Sequence, residues 1–267
     1  MDLSAAIVAF SAGLASAGNM SVPLLIDEVE ARTQVRLARS EEWPESHPVI
    51  WVGTENELAT LPASFADSVR GLAVSGRPEG YRVKAFSGVP SPALLVIGHD
   101  GRGAQFGAGQ LLRRLHMRPG CIAVADDLDI TAAPQLKLRG HQLGYRFTPN
   151  SYDAWDLDRW EQYYRDLIVF GANAVELIPP FLSGKSRTPP PASAFVFPRP
   201  EMEMNAAMSA LADKYDLDVW LWYPALAGDY SDENIVRKDL AQAEEVFRKF
   251  HRIDEVFVPG GEPTIHI

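Results

Sequence analysis

The stretch LKLRGHQLGYRFTPNSYDAWD, Leu136–Asp156, decides how the second half of the chain is interpreted. It opens with Leu136 and Leu138 alternating with Lys137 and Arg139, a period typical of a strand. About fifteen mostly polar residues follow before the next helix, and loops of that length in compact domains are often functional. We therefore predict that the segment LKLRG is a strand that delivers Arg139 to the rim of a ligand site.

Three further segments repeat this rhythm: NAVELIP, DVWLWYP and EVFVPGG. Long loops come after the strands and short turns come before them, as in a (β/α)8 barrel whose active face lies at the carboxyl ends of the strands. We predict that residues 134–267 form the first four βα units of such a barrel. The alternative is an open doubly wound sheet, which would need a glycine-rich phosphate loop after its first strand, and RGHQLGYR is not one.

Residues 1–133 mix strands and helices without that regular order. We predict a small mixed α/β domain here, with its boundary between Ala125 and Gln135. A helix begins near Ser21, which we expect to be its N-cap. A second helix is expected over RGAQFGAGQLLRRLHM, after the continuous apolar strand ALLVIGHD. The other predicted strands are AAIVAF, VRLARS, PVIWVGT, EGYRVKAFSG and CIAVADD.

The amino-terminal segment has two interpretations. Its apolar middle and small residues resemble a signal peptide, but Asp2 stands where a positive region is expected. We favour a first strand followed by a loop over Gly13–Asn19, and both a cytoplasmic and a periplasmic or secreted location stay open. No segment reaches the roughly 18 apolar residues of a membrane span.

The net charge of −10 makes nucleic acid and anionic membranes poor candidate partners. Cys121 is alone, and we expect it to be a core residue rather than a nucleophile. The histidines show no ligand spacing, so we predict no metal site, and the sequence implies no cofactor.

Several polar and aromatic residues lie where the predicted strands end. A guanidinium, an imidazole, carboxylates and aromatic rings together suit a polyhydroxylated ligand. Strand alternation is expected to send one of the two tryptophans of DVWLWYP under a helix. The candidates are Arg139 and His141 in the first strand, Glu176 in the second, Trp222 and Tyr223 in the third, and Glu262 after the fourth.

Structural roles are the alternatives for these residues. Arg139 could form an ion pair with Glu176 inside the barrel, and His141 could be an ordinary hydrogen-bonded loop residue. Glu262 could be a solvated residue near the end of the chain. Glu176 is the strongest candidate, because an unpaired carboxylate inside an apolar strand is costly.

The segment ALLVIGHDGRGAQFGAGQLLRRL resembles the end of the small α/β domain that precedes the barrel in α-glucuronidases and bacterial β-hexosaminidases. LIDEVEARTQVRL is similar to the first helix of that domain. LKLRGHQLGYR is similar to the first barrel strand of hexosaminidases, whose arginine binds sugar hydroxyls. The resemblance implies the same role for Arg139, so that Arg139→Ala would weaken sugar binding by about 2–4 kcal/mol.

One departure from the hexosaminidase pattern concerns the fourth strand. Hexosaminidases continue with GGDE, where the Glu is the general acid, whereas this chain has PGGEPT. Glu262 takes the place of the Asp, and Pro263, which has no proton to donate, takes the place of the acid. The resemblance therefore favours the N-terminal part of an α-glucuronidase-like glycoside hydrolase with Glu262 as its catalytic candidate. The alternative is a non-catalytic carbohydrate-binding or scaffold module, and in either case the open barrel edges are expected to promote self-association.

Overall fold

The computed structural model describes residues 1–87, 91–142, 155–177, 201–223 and 229–258. The chain divides into two compact units: Met1–Lys137 with Ile168–Gly171, and Leu138–Leu167 with Ala172–Ile267. The domain assignment made from the sequence, 1–133 and 134–267, stays a prediction.

The first unit is built on a six-stranded mixed sheet with the order β2-β1-β3-β5-β4-β8. The four neighbouring strands β2, β1, β3 and β5 run parallel, and β4 and β8 are antiparallel additions. A separate hairpin is formed by β6 and β7. The bounds are β1 Ile7–Phe10, β2 Ala38–Ser40, β3 Val49–Thr54, β4 Tyr81–Phe86, β5 Ala93–Gly98, β6 His116–Arg118, β7 Cys121–Ala123 and β8 Asp129–Ala132.

Four α-helices accompany this sheet: α1 Ala12–Ser16, α2 Ser21–Thr33, α3 Ala63–Val69 and α4 Gly101–Leu112. A 3-10 helix, Glu55–Thr60, follows β3. The helix α2 buries Leu24, Leu25 and Val29 completely, because residues at this spacing share one helical face.

The start of α2 corrects two expectations. Met20, not Ser21, is the N-cap residue, and the Oδ1 atom of Asn19 accepts a hydrogen bond from the Ser21 amide at 2.9 Å. The segment expected to be a loop, Gly13–Asn19, contains most of the short helix α1. An asparagine just before a helix can satisfy a free amide as a serine N-cap does, so the sequence pattern did not separate the two.

The GHDGRG motif is explained by close packing. A Cβ atom at Gly98 would lie 2.2 Å from the amide nitrogen of Ala104, and one at Gly103 would lie 2.2 Å from the carbonyl oxygen of Gly80. Asp100 caps α4 by accepting a hydrogen bond from the Gly103 amide at 2.7 Å. The helix ends at Leu112, earlier than expected, and His116 already belongs to β6.

The second unit contains a four-stranded parallel sheet whose spatial order, β12-β11-β10-β9, is the reverse of the chain order without interruption. Its strands are β9 Gly140–Gln142, β10 Ala174–Leu177, β11 Asp218–Trp222 and β12 Glu255–Phe257. Its helices are α5 Leu157–Val169, α6 Glu201–Lys214 and α7 Glu233–Lys249. The predicted fold class, a mixed α/β domain followed by a partial (β/α)8 barrel, is confirmed.

The first barrel strand starts later than predicted. It begins at Gly140, and the side chains of Leu136 and Leu138 are 69% and 45% exposed. The alternation of leucines in LKLRG therefore does not mark a buried strand face. Its position in the chain was predicted, but its bounds were wrong.

The two faces of the second sheet have different roles. Strand–helix–strand connections between parallel strands are almost always right-handed, so consecutive connections in one direction place their helices on the same face. The helix α6 packs against β10 and β11, and Val175 and Val219 on that face are fully buried. We call the opposite face, which carries Gln142, Glu176, Trp220, Trp222 and Glu255, the inner face.

We predict that Gly98→Ala destabilises the first unit by about 1–3 kcal/mol or more, because the new Cβ atom meets backbone that cannot rotate away. Gly101→Ala is the matched control, since its Cβ atom would meet its nearest neighbour at 3.3 Å. Urea denaturation of both variants measures the difference. Equal stabilities would show that the β5–α4 turn can relax.

The edges of the second sheet generate a further prediction. Among the described residues β9 and β12 form its edges, and Phe257 and Val258 are 47% and 61% exposed. We expect the 29.4 kDa chain to self-associate with rising concentration, and Val258→Lys to reduce this, because a charge directly after the edge strand β12 opposes pairing. Analytical ultracentrifugation tests both, with Leu240→Lys on α7 as the control. A wild-type monomer at every concentration would contradict the prediction.

Candidate functional site

The strand register brings four side chains of the inner face into one row. Glu176 is the register partner of Gln142 on one side and of Trp220 on the other, and Trp220 is the partner of Glu255. Partners in a parallel sheet point to the same face. The row lies near the carboxyl end of β10, which is the end where barrel enzymes carry their active sites.

Glu176 is the half-buried carboxyl group of this row. Burial raises its pKa, and the side-chain amide of Gln142 opposes this by stabilising the charged form. Among the described residues Glu176 interacts with Gln142 rather than Arg139, so the ion pair considered from the sequence does not form. A carboxyl group with a raised pKa keeps its proton to higher pH than an exposed one, and in that form it can donate a hydrogen bond.

Both tryptophans of β11 lie on the inner face, so the expectation that one of them turns outward is wrong. Trp220 and Trp222 are two residues apart, and side chains at that spacing share a face. Trp222 is 4% exposed, while Trp220 is half-buried. Glu176 therefore has a tryptophan beside it on the neighbouring strand and a second one on the same face.

Arg139 lies at the amino end of β9, not at its carboxyl end as predicted. Its backbone amide donates to Oδ1 of Asn173 at 2.8 Å, and its carbonyl oxygen accepts from the Asn173 amide at 2.9 Å. It precedes Gln142 by three residues, which is about 10 Å along a strand. This position gives no support to a role in a site at the other end, and the sugar-binding role of Arg139 stays a prediction.

His141 and Tyr223 point toward helices. Nδ1 of His141 lies 2.5 Å from the hydroxyl of Tyr163 on α5. The hydroxyl of Tyr223 donates to the backbone carbonyl of Asp239 on α7 at 3.5 Å, and burial together with Asp239 raises the pKa of Tyr223 to about 12. Both contacts are structural, so the geometry favours the hydrogen-bonded interpretation of His141 and does not place Tyr223 beside Glu176.

The amino edge of the second sheet is held by an ion-pair network. The guanidinium of Arg252 lies 2.7 Å from Asp254, 2.8 Å from Asp218 and 3.0 Å from Asp216. Asp254 also accepts a hydrogen bond from the Val219 amide at 2.7 Å. Residues at this end of a barrel sheet contribute to stability, which separates them from the row around Glu176.

Glu262, the catalytic candidate, lies outside the described residues. Within the described ranges, no three His, Cys, Asp or Glu side chains are grouped so that they could hold a metal ion. None of the helices in those ranges has both the length and the apolar character that crossing a bilayer requires. Cys121 is half-buried in β7.

The sequence pattern did not single out Gln142 and Glu255, and of the two tryptophans in DVWLWYP it retained only Trp222 as a candidate. The period of two along β11 was sufficient to place Trp220 beside Trp222 on one face. Gln142 and Glu255 required the register between strands, which no local pattern supplies.

The fold of the chain is that of glycoside hydrolases, as comparison with solved structures shows. Neither a protein-family model nor a curated protein matches the sequence. Solved structures of glycoside hydrolases, by contrast, superimpose on most of the chain.

Three of these structures illustrate the similarity. CpGH84B superimposes with a TM-score of 0.61 at 17% identity, over 96% of this chain and 40% of that one. A GH20 exo-β-N-acetylglucosaminidase from Vibrio harveyi, solved as an inactive mutant, gives 0.52 at 14% identity, over 88% and 34%. A GH138 enzyme that targets the pectin rhamnogalacturonan II gives 0.52 at 16%, over 96% and 30%. The chain thus spans less than half the length of each of these proteins, and identities this low show the fold alone.

We predict that Glu176→Gln changes the pH dependence of stability. Because the folded-state pKa of Glu176 is raised, the folded protein binds more protons than the unfolded chain above the ordinary pKa of 4.5, and its stability falls as pH rises through that window. The variant lacks this loss, so it should gain stability relative to wild type between pH 4 and pH 7. Urea denaturation at both pH values measures it. A difference in stability between Glu176→Gln and wild type that does not change with pH would contradict the inference that burial raises the pKa of Glu176.

Proposed function

We propose that the chain is the N-terminal part of a glycoside hydrolase and that its inner face binds a sugar. The observation that carries the proposal is the row of Gln142, Glu176 and Trp220, with Trp222 beside it, near the carboxyl end of β10. The glycoside-hydrolase-like fold supports the same conclusion.

The chemistry of the row suits a sugar ring. A half-buried carboxyl group and an exposed amide offer directional hydrogen bonds to neighbouring hydroxyls, and those of the carboxyl group gain strength from the partial exclusion of water. The indole of Trp220 offers a flat apolar face for the C–H side of the ring. In this arrangement Glu176 orients the ligand, and its raised pKa also fits a group that shares a proton with a hydroxyl.

Two features bear on the kind of sugar. The sequence PGGEPT replaces the hexosaminidase acid with Pro263, which favours an α-glucuronidase-like enzyme. The described residues of the row are two carboxylates, an amide and an indole, and a uronate would need a cation that this set lacks. We therefore assign the chain to the α-glucuronidase-like group by its sequence and expect the described row to contact uncharged hydroxyls of the ligand.

A non-catalytic carbohydrate-binding module is the second candidate. It is favoured by the pair Glu262–Pro263, because two-carboxylate hydrolysis needs an acid and a second carboxylate about 5–10 Å apart. Both candidates predict sugar binding on the inner face, and only the first predicts turnover by the intact protein of which the chain would be the N-terminal part. Release of nitrophenol from aryl glycosides by that intact protein separates them.

The binding experiment is a tryptophan-fluorescence titration with methyl glycosides, N-acetylglucosamine and glucuronic acid. Glu176→Gln should weaken binding by about 1.5–3 kcal/mol, the range for a hydrogen bond to a charged group. Trp220→Leu, which keeps apolar bulk without the ring, should weaken it as well. Glu233→Gln, on the exposed first turn of α7, is the control and should leave affinity unchanged.

The effect of Arg139→Ala on sugar affinity tests whether Arg139 lies away from the site, at the amino end of β9, or binds sugar as the sequence resemblance implies. Unchanged affinity agrees with its place at the amino end of β9, and a loss of about 2–4 kcal/mol would restore the expectation from sequence resemblance. Sugar binding that survives both Glu176→Gln and Trp220→Leu would contradict an inner-face site.

A further inference from the structure

A cavity of about 210 Å³ opens in the first unit, separate from the sugar site proposed above. Its walls come from the segments that follow three parallel strands: Ser11 after β1, Glu41 and Trp43 after β2, and Glu57 after β3. The cavity therefore lies at the carboxyl ends of these strands. Polar and aromatic side chains from all three segments reach it.

The topology at this point is the one that open α/β sheets use to bind ligands. From β1 the chain crosses to β2 on one side and then returns to β3 on the other, so that β1 lies between them. Loops that leave neighbouring strands in opposite directions open a crevice at such a switch point. The cavity lies in this crevice.

Aromatic rings form the fixed part of the wall. Trp51 lies within the core cluster of the unit and is 3% exposed. Trp43 packs against Phe65 with ring centroids 5.2 Å apart. Because this packing fixes the half-buried indole of Trp43, that ring gives the cavity a preformed aromatic wall, whereas Trp51 is almost completely covered.

The charged residues that line the cavity, Glu41 and Glu57, are both acidic. Oε2 of Glu57 accepts hydrogen bonds from the amide and hydroxyl of Thr54 at 3.1 and 2.8 Å, and Oε1 accepts one from the Gly13 amide at 3.0 Å. These donors keep Glu57 ionised. Glu41 makes no hydrogen bond or ion pair with any described residue, and none of the described residues that line the cavity is basic.

Ser11 supplies an unused polar group. The residue is 6% exposed, and its hydroxyl makes only a weak hydrogen bond, to the Glu57 carboxyl, which helps to lower the pKa of that group. A buried hydroxyl whose hydrogen bonding is incomplete costs free energy that a ligand in the cavity can recover. The hydroxyl can both donate to and accept from such a ligand.

We propose that this cavity binds a small organic ammonium ion. The positive charge would lie between the carboxylates of Glu41 and Glu57 and against the indole of Trp43, where the ring quadrupole attracts cations. The Ser11 hydroxyl would bind a polar group of the ligand. The volume would hold about seven waters, so a ligand with a similar number of non-hydrogen atoms fits.

Choline and its uncharged carbon isostere, 3,3-dimethylbutan-1-ol, test the proposal because they share shape and hydroxyl and differ in charge. The readout is the indole N–H resonance of Trp43 in a nitrogen-15 correlation spectrum, assigned with Trp43→Phe. Choline should shift this resonance saturably, and the isostere should bind at least fivefold more weakly. The titration uses the full chain at pH 7.

Two variants and one matched control complete the test. Glu41→Gln and Ser11→Ala should each weaken choline binding at least threefold, while Glu42→Gln, the neighbouring carboxylate outside the cavity lining, should not change it. Equal binding of the isostere, unchanged affinity in Glu41→Gln, tighter binding of N-acetylglucosamine at the same resonance, or the absence of any shift with choline would each overturn the proposal. None of these outcomes depends on whether the inner face of the second unit binds sugar.

Discussion

The handedness of the crossover connections is the constraint on which the second unit depends. Right-handed connections in one direction place α5, α6 and α7 on a single face of the sheet, which fixes the opposite face as the inner one. The buried Val175 and Val219 and the helix contacts of His141 and Tyr223 occupy the helical face. Polar groups on the inner face are thereby free to act on a ligand instead of completing the core.

The two ends of this sheet differ in how completely their charged groups are paired. At the amino end, Arg252 forms ion pairs with three aspartates within 3.0 Å, and Asn173 joins β9 to β10 through its side-chain oxygen and its backbone amide. At the carboxyl end, Glu176 is desolvated and held by a neutral amide, which leaves part of the cost of burying it unrecovered. A sugar hydroxyl on Glu176 would recover that cost, and this is the physical reason that the proposed site lies at this end.

The same division is present in the first unit. Glycines allow the β5–α4 turn to close against backbone, so the GHDGRG motif serves packing and Asp100 satisfies the start of α4. Incompletely paired polar groups lie elsewhere, at the switch point beside β1, where Ser11 makes only a weak hydrogen bond to Glu57 and Glu41 has no partner among the described residues. In both units the residues with unsatisfied chemistry follow or end parallel strands, where the loops that leave a sheet diverge.

Local pattern was sufficient for much of the fold and for one residue of the proposed site. Continuous apolar runs predicted β3 and β5, the four strand-like segments predicted the partial barrel, and the carboxylate inside the apolar run VELIPP was enough to single out Glu176. What the tertiary structure alone decided was the register: it placed Gln142 and not Arg139 beside Glu176, and it set the start of β9 at Gly140. Register depends on which residues of distant segments face each other, and a shift of a few residues leaves the local alternation of LKLRG unchanged while it moves an arginine to the opposite end of the sheet. The sequence by itself therefore determined the kinds of elements and their order, whereas the pairing between strands, which is a non-local interaction, decided which of their side chains meet.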